Sequence, residues 1–323
     1  MSKKKRVKKQ SSGRRPPVAK TPPGPAPAVP DRRALEQVMS DLHRLMDEQT
    51  FDSPAEIQQF MSQTLARSAG RVPRQAARTP LQEAQDLIYE AWEARGPDRV
   101  TLARKALQVS PDCADAYVLL AEETGRSLAE ARDLYAQGVA AGERALGERT
   151  FREDAGHFWG IISTRPYMRA RAGLAQCLWE MGQRDAAVDH FQDMLRLNPH
   201  DNQGLRFLFA NWLLHLGRDD ELAKLLDDYP EDATAAWAYT WALWSFRRQD
   251  DSPEPRRRLK TALKQNPYVP DYLLSRKRLP RWLPDMIGFG DESEAVDYAA
   301  GAIEIWKRTP GALDWLASAV ACP

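Results

Sequence analysis

No run of about 18 apolar residues occurs in the 323-residue chain, so the sequence predicts no helix that spans a membrane. The charged N-terminus has no apolar segment behind it, so no secretory signal is expected. Cysteine is scarce: Cys113, Cys177 and Cys322 are odd in number and far apart. That excludes a disulfide framework and a zinc site and favours a reducing, cytoplasmic compartment. Cys113 and Cys177 sit among helical residues and are expected to be small core fillers. Also missing are a glycine-rich phosphate loop, a nucleophile elbow and a His-x-x-x-His pair. The histidines His43, His157, His190, His200 and His215 are scattered, none at ligand spacing from a metal partner. No catalytic residue, cofactor or metal is therefore expected. An enzyme would need a buried pocket at His157 with Asp154 or Glu153 within hydrogen-bond reach.

What the chain does have is a period. Residues 168–201 read MRARAGLAQCLWEMGQRDAAVDHFQDMLRLNPHD, with the 34-residue spacing of a tetratricopeptide repeat. Leu174, Ala175 and Leu178 mark a first helix, and Gly182 the turn. Ala187, Phe191 and Leu195 mark a second helix, and Pro199 closes the unit. Small residues let the two backbones approach, Phe191 fills the gap beside them, and proline cannot continue the helix. A pair like this cannot bury its apolar face alone and needs neighbours on both sides. The bland alternative is a lone antiparallel hairpin.

Further pairs are expected at 81–112, 114–146, 203–229 and 233–267. Leu205, Leu208, Phe209, Trp212, Leu213 and Leu216 mark one first helix. Leu225, Leu226 and Leu259 are expected in the core, as are Trp237, Trp241 and Trp244, spaced by four and three. The stretch 147–167 breaks the period with aromatics, glycines and charges and reads as a functional loop. Prolines forbid a long helix across 268–289. Helices Asp291 to Trp306 and Leu313 to Ala321 then cap the stack.

Upstream, residues 32–69 read as two helices. Leu35, Val38, Met39, Leu42, Leu45 and Met46 form a stripe on the first. Ser53-Pro54-Ala55-Glu56 opens the second with a capping box, and Ile57, Phe60, Met61 and Leu65 are expected as its buried face. Residues 1–31 form a basic, proline-rich arm expected to be disordered. Residues 1–33 hold eleven Lys and Arg against one acid, leaving 35 basic and 44 acidic residues in the rest. A basic arm is attached to an acidic body. The fold class expected is all-α: the arm at 1–31, a helical segment at 32–69, a tetratricopeptide-like solenoid at 81–267 and a capping region at 268–323.

The tail motifs VPDYLL at 269–274, GDESEAVDYA at 290–299 and WKRTPGAL at 306–313 resemble the suppression-of-tumorigenicity-7 family. FREDAGHFWGIISTRPYMRARAGLAQCLW and LNPHDNQGLR are similar to bacterial tetratricopeptide-repeat proteins related to it. The resemblance implies a helical-repeat fold and no catalytic activity. Animal members carry hydrophobic N-terminal segments thought to lie in membranes. This chain has none, so membrane residence does not carry over.

A solenoid of this kind binds partners on the concave face lined by first helices. Repeat geometry puts Arg169, Ala172, Gln176 and Trp179 on that face, and Asn202, Gln203 and Arg206 on the next unit. With the loop residues His157, Trp159, Arg165 and Tyr167 they form the candidate groove. Arginines there, Arg171 included, would hold a partner's carboxylates. The competing reading packs His157, Trp159 and Tyr167 against the solenoid and pairs the arginines with Glu153, Asp154 and Glu180. The acids Asp219, Asp220, Glu221, Asp227 and Asp228 read as a solvated helix face. Lys3, Lys4, Lys5, Arg6, Lys8 and Lys9 would attract a polyanion, or merely solvate the arm. The function expected is a cytoplasmic scaffold binding a protein segment. The alternative is a nucleic-acid- or ribosome-associated protein that uses its arm.

Overall fold

A computed structural model describes residues 33–68, 72–284 and 286–321. The basic arm and Cys322 lie outside the described residues. Among those described, every regular element is an α-helix except one 3-10 turn at Ile162–Thr164. Helices α1 (Arg33–Met46) and α2 (Pro54–Arg67) come first. Five pairs follow: α3 (Pro80–Glu93) with α4 (Pro97–Val109), and α5 (Ala114–Thr124) with α6 (Leu128–Glu153). Then come α7 (Arg165–Glu180) with α8 (Arg184–Leu197), α9 (Leu205–Leu216) with α10 (Asp219–Asp228), and α11 (Ala235–Gln249) with α12 (Pro253–Gln265). The short α13 (Val269–Leu273), then α14 (Glu292–Arg308) and α15 (Ala312–Ala321), complete the order.

The central pair α7–α8 forms where the spacing predicts it. Gly182 ends α7 at φ +81°, a left-handed angle that glycine adopts without a Cβ penalty. The amides of Gly182 and Gln183 donate to Trp179 and Leu178 carbonyls there. Ala175, Ala187 and Phe191 are fully buried. The preceding pair approaches just as closely, since a methyl group on Gly173 would drive into the ring of Tyr135 on α6. Successive pairs share their cores: α3 touches α5, α5 touches α7, and α9 touches α11. Trp212 of α9 lies between Phe191 of α8 and Trp179 of α7 in two near-parallel stacks. One apolar core runs from α5 to α15, and a second, under α3, α4 and α5, meets it at Leu134.

Several expectations need correction. The apolar residues of α2 are not a buried face: no residue of α2 is fully buried, and Ile57 is exposed. Its capping box does form, with Ser53 Oγ accepting from the Glu56 amide and Glu56 accepting from the Asp52 amide. The first half of the α1 stripe also faces outward, with Leu35, Val38 and Met39 exposed and Leu42, Leu45 and Met46 half-buried, while Glu36, Asp41 and Arg44 are buried. The stretch 147–167 is less irregular than its composition suggests. Helix α6 continues to Glu153 past a break at Gly147, where φ is 68° and ψ 162°. Leu208 is exposed. Of the three spaced tryptophans only Trp237 is fully buried. Trp241 and Trp244 are half-buried beneath the guanidinium groups of Arg258 and Arg248.

Candidate functional site

Arg165 and Arg169 stand one turn apart at the start of α7. Arg169 is buried and divides its guanidinium between two carboxylates. Its Nε donates to Asp115 Oδ1 at 2.7 Å, and its two terminal nitrogens donate to Glu36 Oε1 and Oε2 at 2.8 and 3.0 Å. The guanidinium also lies 5.1 Å from the centre of the Trp92 ring. Arg165 donates from Nε to the Trp159 carbonyl at 2.9 Å and adds a 3.2 Å contact to Glu36 Oε1. Asp115 sits in the first turn of α5, where a helix N-terminus favours negative charge. It also accepts from Gln85 Nε2 at 2.9 Å.

The acid that fills this site comes from far away in sequence. Glu36 belongs to α1, which packs on α3 and on the turn before α7. Through Arg169 and Asp115 it is tied to α7 and α5 as well. These are first helices, the row that lines the inner face of such a stack. Arg44 fastens the other end of α1 by a two-pronged pair with Asp86 of α3, at 2.9 and 2.8 Å. At the opposite end of the row, α14 lies against α9 and α11. Another buried acid seats it: Glu294 accepts from the amides of Ala235 and Gly290 and from Asn266 Nδ2. Helices of the same chain thus pack on the first helices at both ends of the row, each with a buried carboxylate.

The remaining groove candidates do not converge on one spot. Trp159 lies beside Arg165, but His157 is exposed. The residue that holds their loop is Phe158, fully buried against Phe151 and Tyr167. Tyr167 is buried on another side of α7, at a cavity of about 590 Å³ that it shares with Arg171 and Asp193. Arg171 pairs with Asp193, not with Glu153, Asp154 or Glu180. Arg206 is held between Asp201 and Asp232 and braces the turn after α10, where a second cavity of about 800 Å³ opens. Gln203 is buried beside it and Asn202 is exposed.

Gln176 and Trp179 remain half-exposed on α7. The Arg184 guanidinium lies 5.3 Å from the Trp179 ring centre, and His215 meets the same ring edge-on at 5.6 Å. Burial, and then the charges of Arg184 and Arg308, push the His215 pKa down.

His190 makes one prediction. Its Nδ1 accepts from Arg171 Nε at 3.1 Å, which requires the neutral ring. Burial first, then the Arg171 charge, lowers its pKa from the ordinary 6.5. Below about pH 6.5 the unfolded chain takes up a proton that the folded chain refuses, so this contribution is present above that pH and is lost as pH falls. Replacing His190 with glutamine should flatten this part of the stability profile between pH 7 and 5. Urea titrations at several pH values measure it, and an unchanged slope would exclude the role.

Sequence reasoning missed Glu36, Asp115, Trp92 and Phe158. A signal for the first existed: Glu36, Ser40 and Arg44 recur at four-residue spacing, a second stripe on α1 beside the apolar one.

No His, Cys, Asp and Glu grouping able to hold a metal occurs among the described residues, nor does a helix long and apolar enough to cross a membrane. Both Cys113 and Cys177 are buried free thiols, pushed up to about 12 and about 11 chiefly by burial. Comparison with known proteins matches residues 76–249 to the ST7 protein family. A Bos taurus protein named suppressor of tumorigenicity 7 protein-like is 32% identical over 265 residues, covering 73% of this chain and 46% of its own length. The Homo sapiens protein of that name is 31% identical over 265 residues, with 73% and 45% covered. Suppressor of tumorigenicity 7 protein of Macaca fascicularis is 29% identical over 289 residues, with 73% and 52% covered. The chain spans about half the length of these relatives.

Proposed function

The chain belongs to the ST7 protein family, and from that premise we propose that it is a non-catalytic, tetratricopeptide-like scaffold that binds a protein segment along the row of first helices. One observation carries the reading. That row already seats two helices, α1 on α3 and, through Glu36, on the arginines of α7, and α14 on α9 and α11, each with a buried carboxylate. A surface that accepts helices this way in its own chain is built for recognising helices. The part left open between them is the window of Gln176, Trp179, Arg184 and His215. Its aromatic faces and positive charge suit an acidic segment. Two buried thiols fit a cytoplasmic, reducing location.

Affinity capture with the intact chain, followed by mass spectrometry, identifies the segment. The variant Trp179→Ala with Arg184→Ala should then lose about tenfold or more in affinity for it, since aromatic and arginine anchors dominate such interfaces. Thermal unfolding of the variant controls for damage to the Trp179–Trp212 stack. Undiminished binding by a folded variant removes the window from the reading.

A further inference from the structure

We infer that the Arg165–Arg169 site is a receptor for a carboxylate carried on a partner helix, and that α1 is a resident occupant which such a helix displaces. The inference rests on the scaffold reading and names the chemistry of its partner.

The site is built before Glu36 arrives. Asp115 and Gln85 fix one edge of the Arg169 guanidinium, Trp92 supports its face, and the Trp159 carbonyl holds Arg165. Glu36 offers both of its oxygens to Arg169 and one of them also to Arg165, in a largely buried place. A bidentate carboxylate is what the guanidinium fork fits. Two turns along, the Asp86 carboxylate on α3 receives a guanidinium. The ligand is therefore a helix with an acid at one position and an arginine eight residues on, the pattern of Glu36 and Arg44.

What holds α1 in place is the reason it can leave. An ordinary docked helix buries its apolar stripe and shows water its charges. Here Glu36 is 1% exposed and Arg44 3%, while Leu35 is 53% and Val38 45% exposed. Buried ion pairs return little net stability once desolvation is subtracted. A helix of 14 residues is also marginal by itself in water. Among the residues whose burial is described, helix α1 has no fully buried apolar side chain, with Leu42, Leu45 and Met46 only half-buried, and it belongs to the part of the fold that opens first. Its outward stripe gives a partner a second handle for drawing it off.

The test uses the full chain and a fluorescent peptide of residues 33–46. Tethered α1 competes at an effective concentration on the order of millimolar, so wild-type protein should bind the peptide poorly. Full-length Glu36→Ala with Arg44→Ala releases the resident helix and should bind it at least tenfold more tightly by anisotropy. A peptide carrying Glu36→Gln should lose most of that gain. Equal binding of the two peptides, or no gain in the folded double variant, overturns the proposal. Hydrogen exchange on wild-type protein decides independently should the double variant fail to fold. The α1 amides should exchange at least tenfold faster than those of α3 and α7, and equal protection overturns it. The Trp179 and Arg184 changes leave this site intact, so failure here and failure of the window are separate results.

Discussion

Arg169→Ala should cost about 3–5 kcal/mol of stability, among the largest losses from any single substitution in the chain. The magnitude comes from what is left behind. Asp115 is fully buried on α5 and Glu36 is 1% exposed on α1, and both accept hydrogen bonds from this one guanidinium. Truncation strands two carboxylates away from water. One of them has an escape: Glu36 can leave with α1, whose described apolar residues are at most half-buried. Asp115 cannot, since its helix lies in the stack between α3 and α7. Glu36→Gln should therefore cost far less globally and should show itself as early exchange of α1 amides. Denaturant titrations of the two variants, followed by helical circular dichroism, check the order. Equal losses would mean that α1 and the stack unfold as one unit.

How far the sequence could be read depended on how local each cause was. The central pair was legible because its determinants lie within 34 residues: Gly182 ends one helix, Ala187 and Phe191 shape the next, and Pro199 stops it. The capping box at Ser53 was legible for the same reason. The partners of Arg169 were not. Asp115 lies 54 residues upstream and Glu36 133, and no periodicity links them to it. The orientation of α1 was lost in the same way. Its apolar stripe and its Glu36–Ser40–Arg44 stripe both run at the helical period, and the hydrophobic rule chooses the first. The two arginines on α7 and Asp86 on α3 reverse that choice, because a charge already buried needs its counter-ion more than an exposed leucine needs cover. Arg165 and Arg169 are expected from the sequence to hold a partner's carboxylate or to pair with Glu153, Asp154 and Glu180, and the acid they share is instead Glu36. Composition could not say that α1 of the same chain supplies the acid.

Phe191→Ala should cost about 3–5 kcal/mol, by a different mechanism. Phe191 is fully buried on α8, stacked 4.4 Å from Trp212 at 16° and set edge-on to Phe209 at 6.2 Å, both on α9. Losing the ring removes its transfer energy and leaves a hole between two pairs. The hole cannot easily close. Trp212 is pinned on its other face by Trp179 at 4.5 Å, and buried Leu213 and Leu222 belong to the same core. Phe191→Leu keeps most of the volume and should lose clearly less. Because the contact joins α8 to α9, the damage should run along the stack, and α9 and α10 should lose protection with α7 and α8 in hydrogen exchange. The Trp179 window shares this wall, so partner affinity should fall together with stability. In Trp179→Ala with Arg184→Ala affinity should fall much further than stability. A Phe191→Ala protein that loses stability only in α7 and α8, with α9 protected as before, would show that the pairs are thermodynamically separate and that Trp212 carries no coupling between them.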